Sequence, residues 1–160
     1  MSNTIFSMDE KVCLITGGSR GLGYAIAEAF FEAGAKRVYI TARKAEACEE
    51  AAKQLSKLGE CIAIPGDLSD VSEIDRLVSE LKQRETSIDV LVNNAGVGWL
   101  APLGEFPEKG WDKVMDLNVK TPFFLTQALR PLLINSASTD ATASVINIGS
   151  IAGIMGRTDT

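Results

Sequence analysis

The sequence has 160 residues, 46% of them apolar and 23% charged, with a net charge of −5. One globular domain is the expectation, and interspersed charges with an acidic balance exclude a nucleic-acid footprint or a basic membrane-surface helix. No apolar run approaches the ~20 residues of a membrane span, and residues 1–10 lack a basic flank leading into an apolar core, so a cytoplasmic protein is expected.

Residues 11–16 read as a buried strand, followed by Thr16-Gly17-Gly18-Ser19-Arg20-Gly21-Leu22-Gly23 and then a helix over 22–33 that Gly34 stops. Strand, glycine turn and helix in that order make an anion seat. Glycines let the backbone approach a ligand closely, and the helix start offers unpaired N–H groups and the positive end of its dipole. Ala25, Ala29 and Ala33 form a small-residue stripe expected to face a sheet. Residues 38–41 form the second strand, 45–58 a helix closed by Gly59, and 61–64 the third strand. Asp67-Leu68-Ser69-Asp70 leads into a helix over 71–84, and Asp70 with Glu73 has capping-box spacing.

Residues 88–92 make a fourth strand ending in Asn93-Asn94-Ala95-Gly96. A looser stretch with Pro102, Gly104 and Pro107 precedes a helix over 108–133. That helix is expected to be interrupted near Asn118 and Pro122 and bent at Pro131, with Phe124, Ala128 and Leu132 on one stripe. Residues 137–143 are a loop, 145–148 a fifth strand, and 149–160 carry no clear element. Strands alternating with helices at this pace predict α/β architecture, a doubly wound parallel sheet with right-handed crossovers in a single domain over 1–160. Ligands on such a sheet sit beyond the C-terminal strand ends. There the glycine turn, Ala42-Arg43, Asp67-Leu68, residues 93–96 and Ser150 converge.

Histidine is absent, so His-based triads and most zinc sites are removed, and no metal is expected. Cys13, Cys48 and Cys61 are odd in number and show no C-x-x-C spacing. Cys13 and Cys61 fall in the strand runs and read as small buried hydrophobes. Trp99 and Trp111 read as packing residues, with Trp99 also a candidate border of a substrate mouth.

The T-G-x-x-x-G-x-G pattern over Thr16–Gly23, the intact Asn93-Asn94-Ala95-Gly96, Asn118 inside the long helix and Ser150 after the fifth strand resemble the short-chain dehydrogenase/reductase family. Within it, residues 63–69, 110–115 and 145–153 are most similar to 3-oxoacyl-thioester reductases, including the kind linked to rhamnolipid synthesis. The resemblance implies a Rossmann fold and a nicotinamide cofactor. An acid about twenty residues past the glycines would hold an NAD ribose, but here the chain reads Thr41-Ala42-Arg43-Lys44. Arg43 and Arg20 suit a 2′-phosphate, so NADP(H) is expected. The family's cofactor positions carry over to Gly17, Ser19, Arg20, Gly21, Leu22 and Gly23 at the seat. Asp67 and Leu68 would border the adenine, and Asn94, Ala95 and Gly96 the ribose and nicotinamide side. Asp67 also reads as a helix-start cap, and Asn93 as a strand tie.

For the chemistry, the resemblance implies that Ser150 orients a carbonyl and that Asn118 holds a water leading to a lysine. The family's Tyr-x-x-x-Lys is not present: Tyr24 is followed by Glu28 and Tyr39 by Arg43. By family spacing the tyrosine would follow Thr160, and residues 145–148 read as an interior strand rather than an edge. The expectation is therefore the N-terminal part of a longer NADPH-dependent reductase, lacking its C-terminal strands and helices and inactive by itself. Its substrate would be a small carbonyl or hydroxyl compound, such as an acyl thioester, and the full-length protein a homo-oligomer with no nucleic-acid or membrane partner. A non-catalytic nucleotide-binding or interaction module is the alternative.

Overall fold

Alternate side chains of the first strand enter opposite cores, and that sets the architecture. In the computed structural model, which describes residues 7–138 and 142–155, β1 (Val12–Thr16) sends Val12 and Leu14 to one face and Cys13 and Ile15 to the other. β2 (Arg37–Thr41) does the same with Tyr39 against Val38 and Ile40, and β4 (Val90–Asn93) with Leu91 against Val90 and Val92. Strands buried on both faces belong in a parallel sheet covered by helices. With β3 (Glu60–Ala63) and β5 (Ser144–Asn147), the order is β3-β2-β1-β4-β5, every neighbouring pair parallel. The doubly wound prediction holds.

α1 (Gly21–Glu32) and α2 (Ala45–Leu55) supply Ala27, Phe31, Cys48, Ala51 and Leu55 to one core. α3 (Val71–Arg84) and α5 (Thr121–Ser136) supply Ile74, Leu77, Leu81, Leu125 and Leu129 to the other. Between α4 (Glu108–Met115) and α5 lies a π-helical turn, Asp116–Lys120, which is the interruption expected near Asn118. Pro122 sits in the first turn of α5, and the helix runs on through Pro131.

Several local expectations are corrected. The face of α1 that meets the sheet is Gly23, Ala27 and Phe31, while Ala25 and Ala29 are exposed. The phase is imposed by Gly23, which must pack on the glycine turn. Gly59 needs no left-handed backbone; a Cβ there would stand 2.3 Å from the Phe31 ring. On α5 Leu132 is buried and Ala128 packs on the core as expected, beside Leu125, Leu129 and Leu133, whereas Phe124 stacks edge-on against Phe123. Asp70 caps α3 by accepting from the Ser72 N–H at 2.8 Å, but the capping box is not closed: Glu73 pairs with Arg76 at 2.9 Å. Trp111 is 59% exposed and packs little. β5 is exposed along its length, paired with β4 on one side. The expected loop and tail fall partly on 139–141 and 156–160, outside the described residues; Ile151–Gly153 forms a 3₁₀ turn.

Charge is compensated at the N-terminal strand ends. Arg37 bridges Glu60 (2.6 Å) and Glu85 (2.5 Å), and the Tyr39 hydroxyl donates to Glu85 (2.7 Å). Burial and that carboxylate hold the Tyr39 phenol well above its ordinary range. Asp89 accepts from the Val12 N–H (2.9 Å) and pairs with Lys11 (3.1 Å). All three cysteines are buried free thiols. Burial chiefly pushes Cys13 and Cys61 up to about 12 and Cys48 to about 11, leaving no thiolate nucleophile near neutrality.

Two outcomes are expected. Leu91→Ala, at a fully buried central position, should lower the unfolding free energy by about 2–5 kcal/mol, and Val145→Ala on the exposed strand by less than about 1 kcal/mol, in urea titrations. The thiols titrate above their unfolded value of 9.0, so the folded chain holds their protons more tightly. Their contribution is complete below about pH 9 and is lost as the pH rises toward about 12; urea midpoints across that range check the sign.

Candidate functional site

The glycine turn is built by close approach. Gly17 and Gly21 have φ of 69° and 56°, a region that favours glycine. A Cβ on Gly23 would stand 2.4 Å from the Gly17 carbonyl oxygen and 2.5 Å from Asn94 Nδ2. One on Gly18 would strike Ile40 Cγ2 at 2.6 Å. No side chain larger than hydrogen fits at either place.

Thr16 and Asn94 tie this turn to the end of β4. The Thr16 hydroxyl accepts from the N–H groups of Asn94 (3.0 Å) and Ala95 (2.9 Å) and donates to the Val92 carbonyl (3.4 Å). Asn94 Nδ2 donates back to the carbonyls of Thr16 (2.8 Å) and Gly17 (3.3 Å). Asn93 is the strand tie expected of it, its amide donating to Asn147 Oδ1 at 2.9 Å across β4 and β5. The scaffold role of Thr16 and of the Asn94 amide was not read from the sequence. Thr16 is the first letter of the glycine motif, and its burial beside two adjacent N–H groups only appears once β1 and β4 are paired.

A cleft of about 750 Å³ opens where the chain reverses between β1 and β4. Gly17, Ser19, Arg20, Gly21, Arg43, Asp67, Leu68, Asn94, Ala95 and Gly96 all line it. Leu22 does not: it is 57% exposed on the first turn of α1. Gly23 lies behind the seat, against Gly17 and Asn94. Lys44 and Lys113 also line the cleft, and neither was singled out in the sequence. Lys44 adjoins Arg43, and Lys113 shares a helix face with Leu117, but only the fold turns both toward one cavity.

Among the lining residues the cations are Arg20, Arg43, Lys44 and Lys113, and the one carboxylate is Asp67. Asp67 is occupied in its own turn, accepting from the Ser69 N–H (3.2 Å) and hydroxyl (2.7 Å). It therefore does not cap α3, which is the task of Asp70. Among the described residues neither guanidinium of Arg20 and Arg43 has a hydrogen-bond or ion-pair partner. Arg20 precedes α1 without capping it, and no acid lies in that helix's first turn. The cleft thus presents positive potential and a bare helix start, the chemistry of an anion site.

A second, more open cleft of about 1320 Å³ adjoins the first along residues 94–97 and brings Asn118 and Ser150 to one cavity. The Asn118 amide clamps Val97, accepting from its N–H (2.9 Å) and donating to its carbonyl (2.8 Å). Ser150 Oγ accepts from the Ala152 N–H (3.1 Å), leaving its proton to donate. Tyr24 and Tyr39 line neither cleft.

The sequence pattern of the family described as "short chain dehydrogenase" matches residues 11–160. The chain is 52% identical over 149 residues to the rhamnolipids biosynthesis 3-oxoacyl-[acyl-carrier-protein] reductase of Pseudomonas aeruginosa, covering 93% of this chain and 58% of that protein. The Pseudomonas aeruginosa RhlG/NADP active-site complex superposes with a TM-score of 0.91 at 50% identity, over 95% of this chain and 59% of that one. The L-sorbose reductase of Gluconobacter frateurii, complexed with NADPH and L-sorbose, gives 0.87 at 27% identity, over 94% and 56%. The chain thus spans less than two thirds of the length of these relatives.

Thr16→Val keeps the shape but removes the hydroxyl that accepts from the Ala95 N–H, while the Asn94 N–H keeps the Val92 carbonyl (3.1 Å), and should cost about 1–3 kcal/mol in urea unfolding. Gly23→Ala places a methyl against main chain and should cost a similar amount, about 1–3 kcal/mol.

Proposed function

This chain belongs to the short chain dehydrogenase family, and from that premise we propose that it is the cofactor-holding N-terminal part of a longer NADPH-dependent reductase. Its substrate would be a carbonyl compound such as a 3-oxoacyl thioester. The observation that carries the cofactor choice is the pair of unpartnered guanidinium groups, Arg20 and Arg43, bordering a glycine-seated anion cleft. The residues present fit the group. Cradle positions where a Cβ would collide leave room for main chain to approach a pyrophosphate, and α1 begins there without an acid. No carboxylate follows β2 to bind a ribose diol; Arg43 stands there instead, and a planar guanidinium suits a phosphate through two parallel bonds.

In this reading Gly17, Ser19 and Gly21 hold the pyrophosphate, with Leu22 and Gly23 behind them forming the helix start. Asp67 and Leu68 border the adenine, and Asn94, Ala95 and Gly96 line the ribose and nicotinamide side. The bound dinucleotide would supply the hydride. Ser150 donates its remaining proton to the substrate carbonyl oxygen, which polarises the carbon. Asn118 acts through Val97, fixing the segment that divides the two clefts, and offers main chain in the π-helical turn for a water. A proton donor for the product oxygen does not come from Tyr24 or Tyr39, which lie away from the cleft. It is assigned to a Tyr-x-x-x-Lys segment of the longer protein.

A second reading is a nucleotide-binding module without catalysis, which keeps the seat and not the chemistry. Continuation of the coding sequence into Tyr-x-x-x-Lys decides between the two. For the cofactor, calorimetric titration should show NADPH binding tighter than NADH. Arg43→Ala and Arg20→Ala should each weaken NADPH about 10- to 100-fold and leave NADH within about twofold. Equal affinity of the parent chain for both dinucleotides would sink the assignment.

A further inference from the structure

Gly110 sits inside α4, where glycine costs about 1 kcal/mol relative to alanine. Its neighbour explains the choice. A Cβ at Gly110 would stand 2.8–2.9 Å from Cγ, Cδ1 and Cδ2 of Trp99, closer than a methyl tolerates. One turn along the same helix face, Lys113 Nζ lies 5.5 Å from the centroid of the Trp99 ring. The indole is therefore seated on bare main chain and covered by an ammonium. It is also placed at a boundary. Lys113 lines the first cleft, while Trp99 lines the second, together with Leu100, Phe106, Asn118 and Ser150.

On the Trp99 side the second cleft is apolar and open, with Leu100 72% and Phe106 38% exposed. The Ser150 hydroxyl and the Asn118 clamp line the same cleft. A ligand with its polar end at Ser150 would lay whatever follows against the indole. Exposed apolar surface beside a few convergent polar groups is the composition of a small-molecule site. An aliphatic tail suits it, because each methylene taken from water onto such a wall raises affinity, up to about fourfold when fully buried.

We propose that Trp99, seated by Gly110 and held by Lys113, is a specificity-determining residue: the wall that receives the alkyl chain of an acyl substrate. The inference rests on the reductase reading above and deepens it. Its test is calorimetry on the full chain saturated with NADP+, titrated with 3-oxoacyl-coenzyme A of four to ten carbons; with oxidised cofactor no hydride is available and binding alone is read. Affinity should rise with chain length, by up to about fourfold per methylene. Trp99→Ala should remove at least about half of that dependence, Trp99→Phe should retain most of it, and Gly110→Ala, which displaces the ring, should act like Trp99→Ala. NADP+ affinity should stay within about twofold in every variant, which also reports that each is folded.

The proposal is overturned if Trp99→Ala keeps the parent's chain-length dependence, if Trp99→Phe behaves as Trp99→Ala does, or if no thioester binds the NADP+-loaded chain. Failure of NADP+ itself to bind the parent chain is a separate result. It rejects the reductase reading, and this inference with it.

Discussion

The molecule depends on one close approach: the turn after β1 lies so near the end of β4 that Gly17, Gly23 and Asn94 share a space without room for a methyl group. The contact is held by polar bonds rather than by apolar packing. The Thr16 hydroxyl uses its proton and both lone pairs, and the Asn94 amide returns two bonds to the turn. Main chain is thereby exposed at a fixed height above the sheet. The phase of α1, the place of Phe31 in the core and the floor of the cleft all follow from it.

A second constraint is electrostatic asymmetry along the strands. At their N-terminal ends the charges are paired: Lys11 with Asp89, and Arg37 with Glu60 and Glu85. At their C-terminal ends Arg20, Arg43, Lys44 and Lys113 face a cavity whose one carboxylate is already bonded within its own turn. Unpaired cations around a bare helix start repel one another, and an anion relieves that repulsion. The two tyrosines stand apart from the chemistry, since Tyr39 serves the paired end and Tyr24 packs against the core beside α2, where it donates to Gln54.

Much of this was legible in the chain itself. Apolar runs bounded by glycine and polar turns mark the five strands to within a residue or two, and most residues expected to converge line one cleft, while Asn93 and Ser150 line the adjoining one and Leu22 and Gly23 line neither. The misses share a cause. The alanines of α1 suggest one stripe, but a helix's rotation is set by its tightest contact, here that of Gly23 with Gly17 and Asn94. Glu73 had the spacing of a capping box, yet Arg76 one turn on offered it an ion pair. On α5 only Phe124 leaves the expected stripe, since it finds the Phe123 ring instead, while Ala128 and Leu132 keep to the core.

What the sequence determined alone was the order of elements, the parallel sheet and the identity of the seat, because periodicity and glycine spacing are local properties carried by the backbone. Only the tertiary structure decided what each polar side chain does. Asn94 and Asn118 carry the same amide, but one braces the glycine turn and the other clamps Val97. Lys44 and Lys113, 69 residues apart in the sequence, meet at a single cavity. Hydrogen bonds and cavities join groups distant in sequence, so their partners exist only after the sheet has brought the strand ends together.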